Sequence, residues 1–444
     1  MIPVPSTRLL WTIFGVALLA AAAGPLPELK PAWILALLGA AVFALLDLVL
    51  SLQRLVPPEP STPAVVRFTK DREGLLPVTF ANPGGRPWRL RFAVALPAAF
   101  EHRVAELAVA LPAGVPRAQI GWAVVPRSRG RFSGAVACIE TGSLLGCWQL
   151  RRRSPLACEL RVYPNLFTER KSLAALFLAR GQFGARLRRT VGRGREFEKL
   201  RDYLPGDGFD EIHWKATAKR GRPVTKVFQA ERTQEICVII DASRLSARAV
   251  THEGRRCTAL ERYIAAAMVL LLAAERQGDR FGLVAYDDRV RVFLRAGQGD
   301  AHYAACRDAI HALQPSEATP DVAEIVRYLR TQFRRRALMF FLTDLTDPVL
   351  AEDFIRHARL LARQHLMFVN QLRAPGVAPL FTGAEAVDAR EVYGRLAGHM
   401  RWMEARALAQ KLKPFGITAT LLENEAMAAQ LVTQYLQVKQ RQAL

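Results

Sequence analysis

The feature that most restricts the fold is an alternation of short apolar runs and amphipathic stretches from residue 235 onward. Near-continuous apolar runs are typical of strands that are buried on both faces. Strands that alternate with helices predict a mostly parallel, doubly wound α/β sheet over 235–444. We predict strands at 236–240, 281–286, 290–294, 337–342, 366–372 and 417–422, and helices at 259–277, 301–313, 322–333, 350–364, 391–412 and 427–439.

Oxygen-bearing side chains follow two of these strands. Asp241 and Ser243 come directly after the first strand, and Asp344 follows the strand at 337–342. Ligands of such sheets bind at the carboxyl ends of the strands. The alternative is that Asp241 and Ser243 only cap the turn or helix that follows. The sequence contains no G-x-x-x-x-G-K, H-E-x-x-H or G-x-S-x-G motif, and we therefore predict that the protein is not an enzyme.

Two apolar segments, 9–23 and 31–52, open the chain and are separated by a short proline-rich break. The second is about as long as the roughly 20 residues that span a bilayer. We predict a transmembrane helical hairpin over 1–56. Arg8 and Arg54 flank its outer ends, which favours the inner (cytoplasmic) membrane with most of the chain in the cytoplasm. The alternative is that 9–23 is a cleaved signal peptide.

Asp47 interrupts the second apolar segment. An ionisable side chain inside a membrane helix is a functional candidate by default. The alternative is that Asp47 reaches the interface or pairs with the first helix.

Residues 57–165 have the period of β-strands. Trp88, Leu90, Phe92 and Val94 alternate with smaller or charged residues, and turn signals recur between similar segments. Such spacing predicts a β-sandwich domain of immunoglobulin-like type.

The segment 166–234 connects this domain to the α/β domain and contains a distinctive motif. Gly-Arg-Glu-Phe begins at Gly194, Leu-Arg-Asp-Tyr ends at Tyr203, and Ile-His-Trp-Lys ends at Lys215. Together with a closing Tyr-Leu-Gln-Val-Lys at 435–439, this order resembles the bacterial "domain of unknown function 58" family. The resemblance implies a von Willebrand factor A-like (VWA-like) α/β domain and a partnership with a MoxR-type AAA+ ATPase.

The resemblance also implies an adhesion-type metal site. Its ligands would be Asp241, Ser243, Thr319 and Asp344, which are hard oxygen donors suited to Mg²⁺. Leu245 stands where the pattern requires another oxygen ligand, and Ser246 is one residue late. The site is thus degenerate. We expect weak or absent Mg²⁺ binding and no other cofactor.

Two interpretations of the motif remain open. One is a lattice of ion pairs around a buried Trp214, which locks the β-domain to the α/β domain. The other is a docking surface for a partner. The residues concerned are Arg201, Tyr203, Gly206, Asp207, Trp214, Lys215 and Glu231.

The chain carries 62 Lys and Arg against 40 Asp and Glu, a formal net charge of +22. Such a charge suits an anionic partner. Two hypotheses follow. The first is a membrane-anchored, non-enzymatic adaptor or chaperone-like protein that works with the AAA+ ATPase. The alternative is a protein whose basic surface binds anionic lipid or nucleic acid. Because few aromatic residues lie among the basic ones, we expect membrane lipids as partners and no nucleic acid.

Overall fold

The structure is a computed structural model that describes residues 1–23, 30–167, 169, 171, 173–174, 191–204, 208–209, 212–229, 234–252, 254–382 and 388–440. It divides into two compact units, Met1–Asn165 and Leu166–Leu444. The boundary predicted at residue 56 falls inside the first unit.

The first unit begins with a short strand and two apolar helices. Strand β1 spans Ile2–Pro5, helix α1 spans Thr7–Ala23 and helix α2 spans Lys30–Arg54. The helices lie side by side. The segment Pro31–Arg54 is long and apolar enough to cross a membrane, with a mean hydropathy of 2.5, whereas Thr7–Ala21 is a shorter apolar helix. Length and composition alone therefore make α2 a candidate membrane span.

The remainder of the first unit is β-rich, as predicted. Three sheets enclose one core, with strand orders β1-β11-β10-β5-β7, β2-β4-β8-β6 and β3-β12-β9. On β5 the predicted alternation is confirmed, because Trp88, Leu90, Phe92 and Val94 are buried. The strands are β2 (Glu59–Ser61), β3 (Val65–Thr69), β4 (Gly74–Ala81), β5 (Trp88–Ala95), β6 (Phe100–His102), β7 (Leu107–Leu111), β8 (Arg117–Pro126), β9 (Gly130–Phe132), β10 (Val136–Gly142), β11 (Trp148–Pro155) and β12 (Glu159–Tyr163).

In the described hydrogen bonds Asp47 does not pair with the first helix, and its partners were not foreseen from the sequence. Its side chain is wholly buried and accepts hydrogen bonds from the loop between β10 and β11, at Ser143, Leu145 and Cys147. Strand β1 was not predicted either. It pairs with β11, placing Ile2 opposite Arg151. The N-terminal residues and the sheet are thus parts of one unit.

The second unit opens with the motif-bearing segment. Strands β13 (Val191–Asp202) and β14 (Val224–Gln229) form an antiparallel pair, and the short helix α3 (Trp214–Arg220) lies between them in sequence. Gly206, Asp207 and Glu231 lie outside the described residues.

A six-stranded sheet forms the centre of the second unit, in the order β19-β18-β15-β20-β21-β22. All neighbours are parallel except β18 and β19. The strands are β15 (Glu235–Asp241), β18 (Arg280–Tyr286), β19 (Val290–Gly297), β20 (Leu338–Leu342), β21 (Leu366–Leu372) and β22 (Thr418–Leu422), and a separate hairpin comprises β16 (Ala249–His252) and β17 (Arg255–Thr258).

Helices cover both faces of this sheet, which is the doubly wound α/β arrangement predicted. On β15, Ile236, Val238 and Ile240 face one helical layer, while Cys237 and Ile239 face the other. The predicted elements are found with ends shifted by a few residues, whereas the β16–β17 hairpin was not foreseen. The helices are α4 (Ala259–Arg276), α5 (Asp300–Ile310), α6 (Val322–Gln332), α7 (Pro348–Ala362), α8 (Ala389–Leu412) and α9 (Met427–Gln440).

Candidate functional site

The carboxyl ends of β15 and β20 bring three oxygen-bearing side chains together. Asp241 ends β15 and is wholly buried. One of its carboxylate oxygens accepts a hydrogen bond from the Ser243 backbone N–H at 2.9 Å. The other accepts from the Thr343 hydroxyl at 2.8 Å, because Thr343 directly follows the neighbouring strand β20. Both oxygens of Asp241 are therefore engaged by the protein.

The electrostatic environment of Asp241 opposes its ionisation. Burial raises the pKa of the Asp241 carboxyl above its ordinary value, and the nearby Asp344 carboxylate acts in the same direction. Hydrogen bonds from Ser243 and Thr343 partly oppose the shift. Strand β18 adds the buried phenol of Tyr286, whose pKa is raised well above its ordinary value by burial and by Asp241. The site is thus a buried polar cluster at the rim of the sheet, which is the edge formed by the carboxyl ends of its parallel strands.

Ser243 and Ser246 shape the loop after β15. The Ser243 hydroxyl accepts a hydrogen bond from the Leu245 backbone N–H at 3.3 Å and caps a single 3₁₀ turn, Arg244–Ala247. The Ser246 hydroxyl turns back and donates to the Ser243 carbonyl at 2.8 Å. The capping interpretation of Asp241 and Ser243 therefore describes their contacts in this structure.

Asp344 is paired with an arginine that sequence reasoning missed. The guanidinium of Arg248 lies 3.2 Å from an Asp344 carboxylate oxygen and donates to the Leu372 carbonyl at 2.9 Å. The Thr346 backbone N–H donates to the other Asp344 oxygen at 3.0 Å. Arg248 precedes the unpredicted β16–β17 hairpin, so its approach to the rim could not be inferred from strand order.

Thr319 does not match the role expected of it. Its side chain is exposed, whereas Asp241 and Ser243 are wholly buried. Its loop does approach the site, because the Arg244 backbone N–H donates to the Ala318 carbonyl at 3.0 Å. The threonine hydroxyl that meets Asp241 belongs to Thr343, and its position directly after a buried strand was the available signal.

This donor set does not fit Mg²⁺. Leu245 offers no oxygen, both Asp241 oxygens accept protein hydrogen bonds, and a guanidinium already neutralises Asp344. Within the described ranges, no group of three or more His, Cys, Asp and Glu side chains could hold a metal ion. The guanidinium of Arg248 is a positive charge held at this rim by Asp344 and the Leu372 carbonyl.

A groove of about 230 Å³ borders Arg248. It lies between the loops that follow β20 and β21 and the helices α7 and α8. Leu345, Leu372 and Leu408 contribute apolar surface, while the charged side chains around the groove are Arg248, Glu352, Arg401, Glu404 and Lys411. An apolar groove with charges of both signs at its edge suits a protein segment.

Residues 199–380 match the family described as "Protein of unknown function DUF58". These residues belong to the DUF58 family. The match begins in β13, runs through the rim residues and ends beyond β21. The resemblance inferred from the sequence motif is thus confirmed over this part of the chain.

Similar proteins have been identified by sequence and by structure. The uncharacterized protein Rv1480 of Mycobacterium tuberculosis (strain H37Rv) is 24% identical over 186 residues, which cover 41% of this chain and 56% of the relative. The chain therefore spans about half of the length of that relative. Among solved structures, the hypothetical protein BatB of Bacteroides thetaiotaomicron has 14% identity and a TM-score of 0.32, with coverage of 47% of this chain and 99% of that one. The SpRpn10 VWA domain has 10% identity and a TM-score of 0.29, with coverage of 46% and 95%.

Among the described motif residues, Trp214 and Lys215 lie on the surface, Arg201 and Tyr203 are half-buried, and Ile212 is buried. Trp214 is 66% exposed, so the prediction that it is buried is wrong. The reason is local, because Trp214 begins the seven-residue helix α3, which buries no side chain. Lys215 is exposed as well, and the Tyr203 backbone N–H donates to the Pro223 carbonyl at 3.0 Å.

The lattice of ion pairs expected around Trp214 stays a prediction. Asp207 and Glu231, which would supply its acidic groups, lie outside the described residues. Arg201 is paired in register with Thr225 within the β13–β14 hairpin. His213 caps helix α3, where its Nδ1 accepts a hydrogen bond from the Ala216 backbone N–H at 3.0 Å.

Proposed function

We propose that this DUF58 protein is a membrane-anchored, non-enzymatic adaptor. It binds a MoxR-type AAA+ ATPase through the rim of its α/β domain. The observation that carries the proposal is the Arg248–Asp344 pair beside the groove, where Asp344 directly follows Thr343 of the buried Asp241–Ser243–Thr343 cluster. The partner itself is suggested by family resemblance alone.

The rim has the chemistry of a protein-binding surface. A partner's apolar side chain would fill the groove between Leu345, Leu372 and Leu408. A partner's carboxylate would be attracted to Arg401 and Lys411, which are exposed on α8 beside the groove.

Strand pairing supports a membrane hairpin. The residues before α1 form β1, which pairs with β11, and the residues after α2 form β2, which pairs with β4. Both outer ends of the helix pair therefore lie on the same side, as an even number of crossings requires. The immunoglobulin-like β-sandwich domain would then stand next to the membrane, on the cytoplasmic side favoured by the excess of Lys and Arg. Reporter fusions after residue 60 that are active only outside the cytoplasm would contradict this topology.

The direct test of the adaptor role is co-purification. The detergent-solubilised full-length chain is mixed with a MoxR-type ATPase from the same organism, and the retained ATPase is measured. The single variants Arg401→Glu and Lys411→Glu each reverse one charge at the groove. Each should lower the retention of the ATPase at least tenfold. Arg390→Glu is the matched control, because Arg390 is an exposed arginine in the first turn of the same helix and does not line the groove.

Two outcomes would count against the proposal. Retention that is unaffected by both groove variants would show that the rim is not the contact. Absence of any retention would remove the adaptor role and favour the basic-surface alternative.

A further inference from the structure

The loop between β10 and β11, residues 143–147, lies with Trp148, the first residue of β11, against the ends of both N-terminal helices. We call it the tip loop. Just before α1, the Ser6 hydroxyl donates to the Gly146 carbonyl at 2.7 Å and the Ser6 backbone N–H donates to the Cys147 carbonyl at 2.9 Å. The tip loop is therefore fixed at the level where α1 begins.

On α2 the same loop supplies the partners of Asp47. The carboxylate accepts hydrogen bonds from the Ser143 hydroxyl at 2.6 Å, the Leu145 backbone N–H at 2.9 Å and the Cys147 backbone N–H at 3.0 Å. One turn further on, the Ser51 hydroxyl donates to Asp47 at 3.1 Å. A carboxylate in an otherwise apolar helix is satisfied here only because the loop stands beside it.

Two more contacts fix the height of the loop along α2. The Trp148 indole N–H donates to the Ala44 carbonyl at 2.7 Å, and the Leu144 backbone N–H donates to the Ser51 hydroxyl at 3.0 Å. The tip loop thus covers α2 from Ala44 to Ser51, about two helical turns. Tryptophan with a hydrogen-bonded indole is typical of the membrane–water interface.

The lengths of the helices place this loop next to the lipid. Helix α1 has 17 residues and is about 25 Å long. The stretch of α2 from Lys30 to Asp47 is of similar length, about 26 Å. The hydrocarbon core of a bilayer is about 30 Å thick. If the helices span it, the core therefore extends to the level of the tip loop.

The loop presents apolar side chains at that level. Leu144 is 48% exposed and Leu145 is 50% exposed, next to the exposed apolar side chains of α2 such as Leu46 and Leu50. We propose that the tip loop enters the boundary between lipid headgroups and acyl chains, with Leu144 and Leu145 in contact with the bilayer. The inference rests on the proposed membrane anchoring and adds a second point of attachment, through the β-rich unit itself.

A photo-crosslinking amino acid tests the inference in the full chain. Benzoylphenylalanine is introduced singly at Leu145, at Leu38 in the middle of α2, or at Leu75, and the protein is reconstituted into vesicles of phosphatidylethanolamine and phosphatidylglycerol. Leu75 is the matched control because it is an exposed leucine of the same unit, 63% exposed. It lies six residues along β4 from Ala81, the partner of Glu59, and so about 20 Å from the helix-proximal end of that strand.

The measured quantity is the fraction of protein that carries a phospholipid adduct after irradiation. We expect adducts at Leu145 within threefold of those at Leu38, and at least tenfold fewer at Leu75. Adducts at Leu38 with none at Leu145 would place the tip loop in water and overturn the inference, while membrane anchoring would stand. No adduct at Leu38 would overturn the anchoring and the inference together.

Discussion

Asp47 in the first unit and Asp241 in the second are both wholly buried carboxylates, yet they are held in different ways. Asp241 bonds the backbone of Ser243, two residues away, and one hydroxyl from the adjacent strand. Asp47 bonds three groups that lie 96 to 100 residues further along the chain. Asp241 organises a local turn, whereas Asp47 joins helix α2 to the distant β10–β11 hairpin. Loss of Asp47 should therefore disturb more of the molecule.

The largest effect is expected for Asp47→Ala. Three donors, on Ser143, Leu145 and Cys147, would lose their acceptor, at about 1–3 kcal/mol each when buried. For a unit of this size we expect the melting temperature to fall by roughly 10 °C, measured by tryptophan fluorescence in detergent. Ser51→Ala, which removes one hydroxyl from the same cluster, should have a much smaller effect. An unchanged melting temperature for Asp47→Ala would show that the tip loop is held by other contacts.

A smaller loss is expected for Asp241→Ala. This variant leaves the Ser243 N–H and the Thr343 hydroxyl without their acceptor, which should cost about 2–4 kcal/mol. Asp241→Asn keeps an acceptor and a donor in place and should remain within about 1 kcal/mol of the original protein at neutral pH. Urea unfolding of the full chain gives both free energies. Equal losses for Ala and Asn would mean that the charge matters more than the hydrogen bonds.

The pH dependence of the free energy of unfolding tests directly whether the charge of Asp241 affects stability. Because the folded state raises the pKa of Asp241, it holds the proton more tightly than the unfolded state does. The contribution of this group is thus fully present below the unfolded pKa of about 4 and is lost as pH rises through the folded pKa. Asp241→Asn should flatten that decline in the free energy of unfolding. A decline of unchanged slope would assign it to another group.

Mg²⁺ binding tests whether Asp241 is a structural carboxylate or a metal ligand. Calorimetry with the full chain should show no saturable heat at micromolar Mg²⁺, since Leu245 lacks an oxygen and Arg248 occupies Asp344. The double variant Leu245→Ser and Arg248→Ala restores an oxygen and removes the cation, and should bind more tightly. Micromolar affinity in the original protein that disappears in Asp241→Ala would reveal a metal site.

The smallest effect is expected away from both carboxylates, at Trp214. Since this side chain is 66% exposed, Trp214→Ala should change the free energy of unfolding by less than about 0.5 kcal/mol. Trp122, 1% exposed, is the matched control, and its replacement by Ala should cost about 3–5 kcal/mol. A large loss at Trp214 would indicate that it is covered in the folded protein.

Features with a local cause could be predicted from the sequence. The strand and helix pattern of the α/β domain follows from apolar periodicity, and Asp241 and Asp344 were located because they lie within two residues of the ends of the predicted buried strands. The motif around 194–231 identified the family for the same reason, since its signal lies in consecutive residues.

Features that depend on distant contacts could not be predicted. Nothing near Arg248 in sequence indicates that its guanidinium reaches Asp344, almost a hundred residues later. The partners of Asp47 lie in a loop whose own composition, Ser-Leu-Leu-Gly-Cys, is unremarkable. Trp214 was expected to be buried because it follows the Gly206-Asp207 turn and precedes the first strand of the α/β domain, whereas its exposure here depends on a short surface helix.

The pairing of β1 with β11 has a consequence for the order of biogenesis. Ile2 can pair only after Arg151 has been synthesised. At a translation rate of about 5–20 residues per second, β1 therefore stays without its neighbour β11 for roughly 7–30 s. Over that interval the apolar helices have already left the ribosome, and insertion can precede closure of the sheet. With the proposed membrane anchoring, the growing chain would thus be tethered before its first strand joins the sheet.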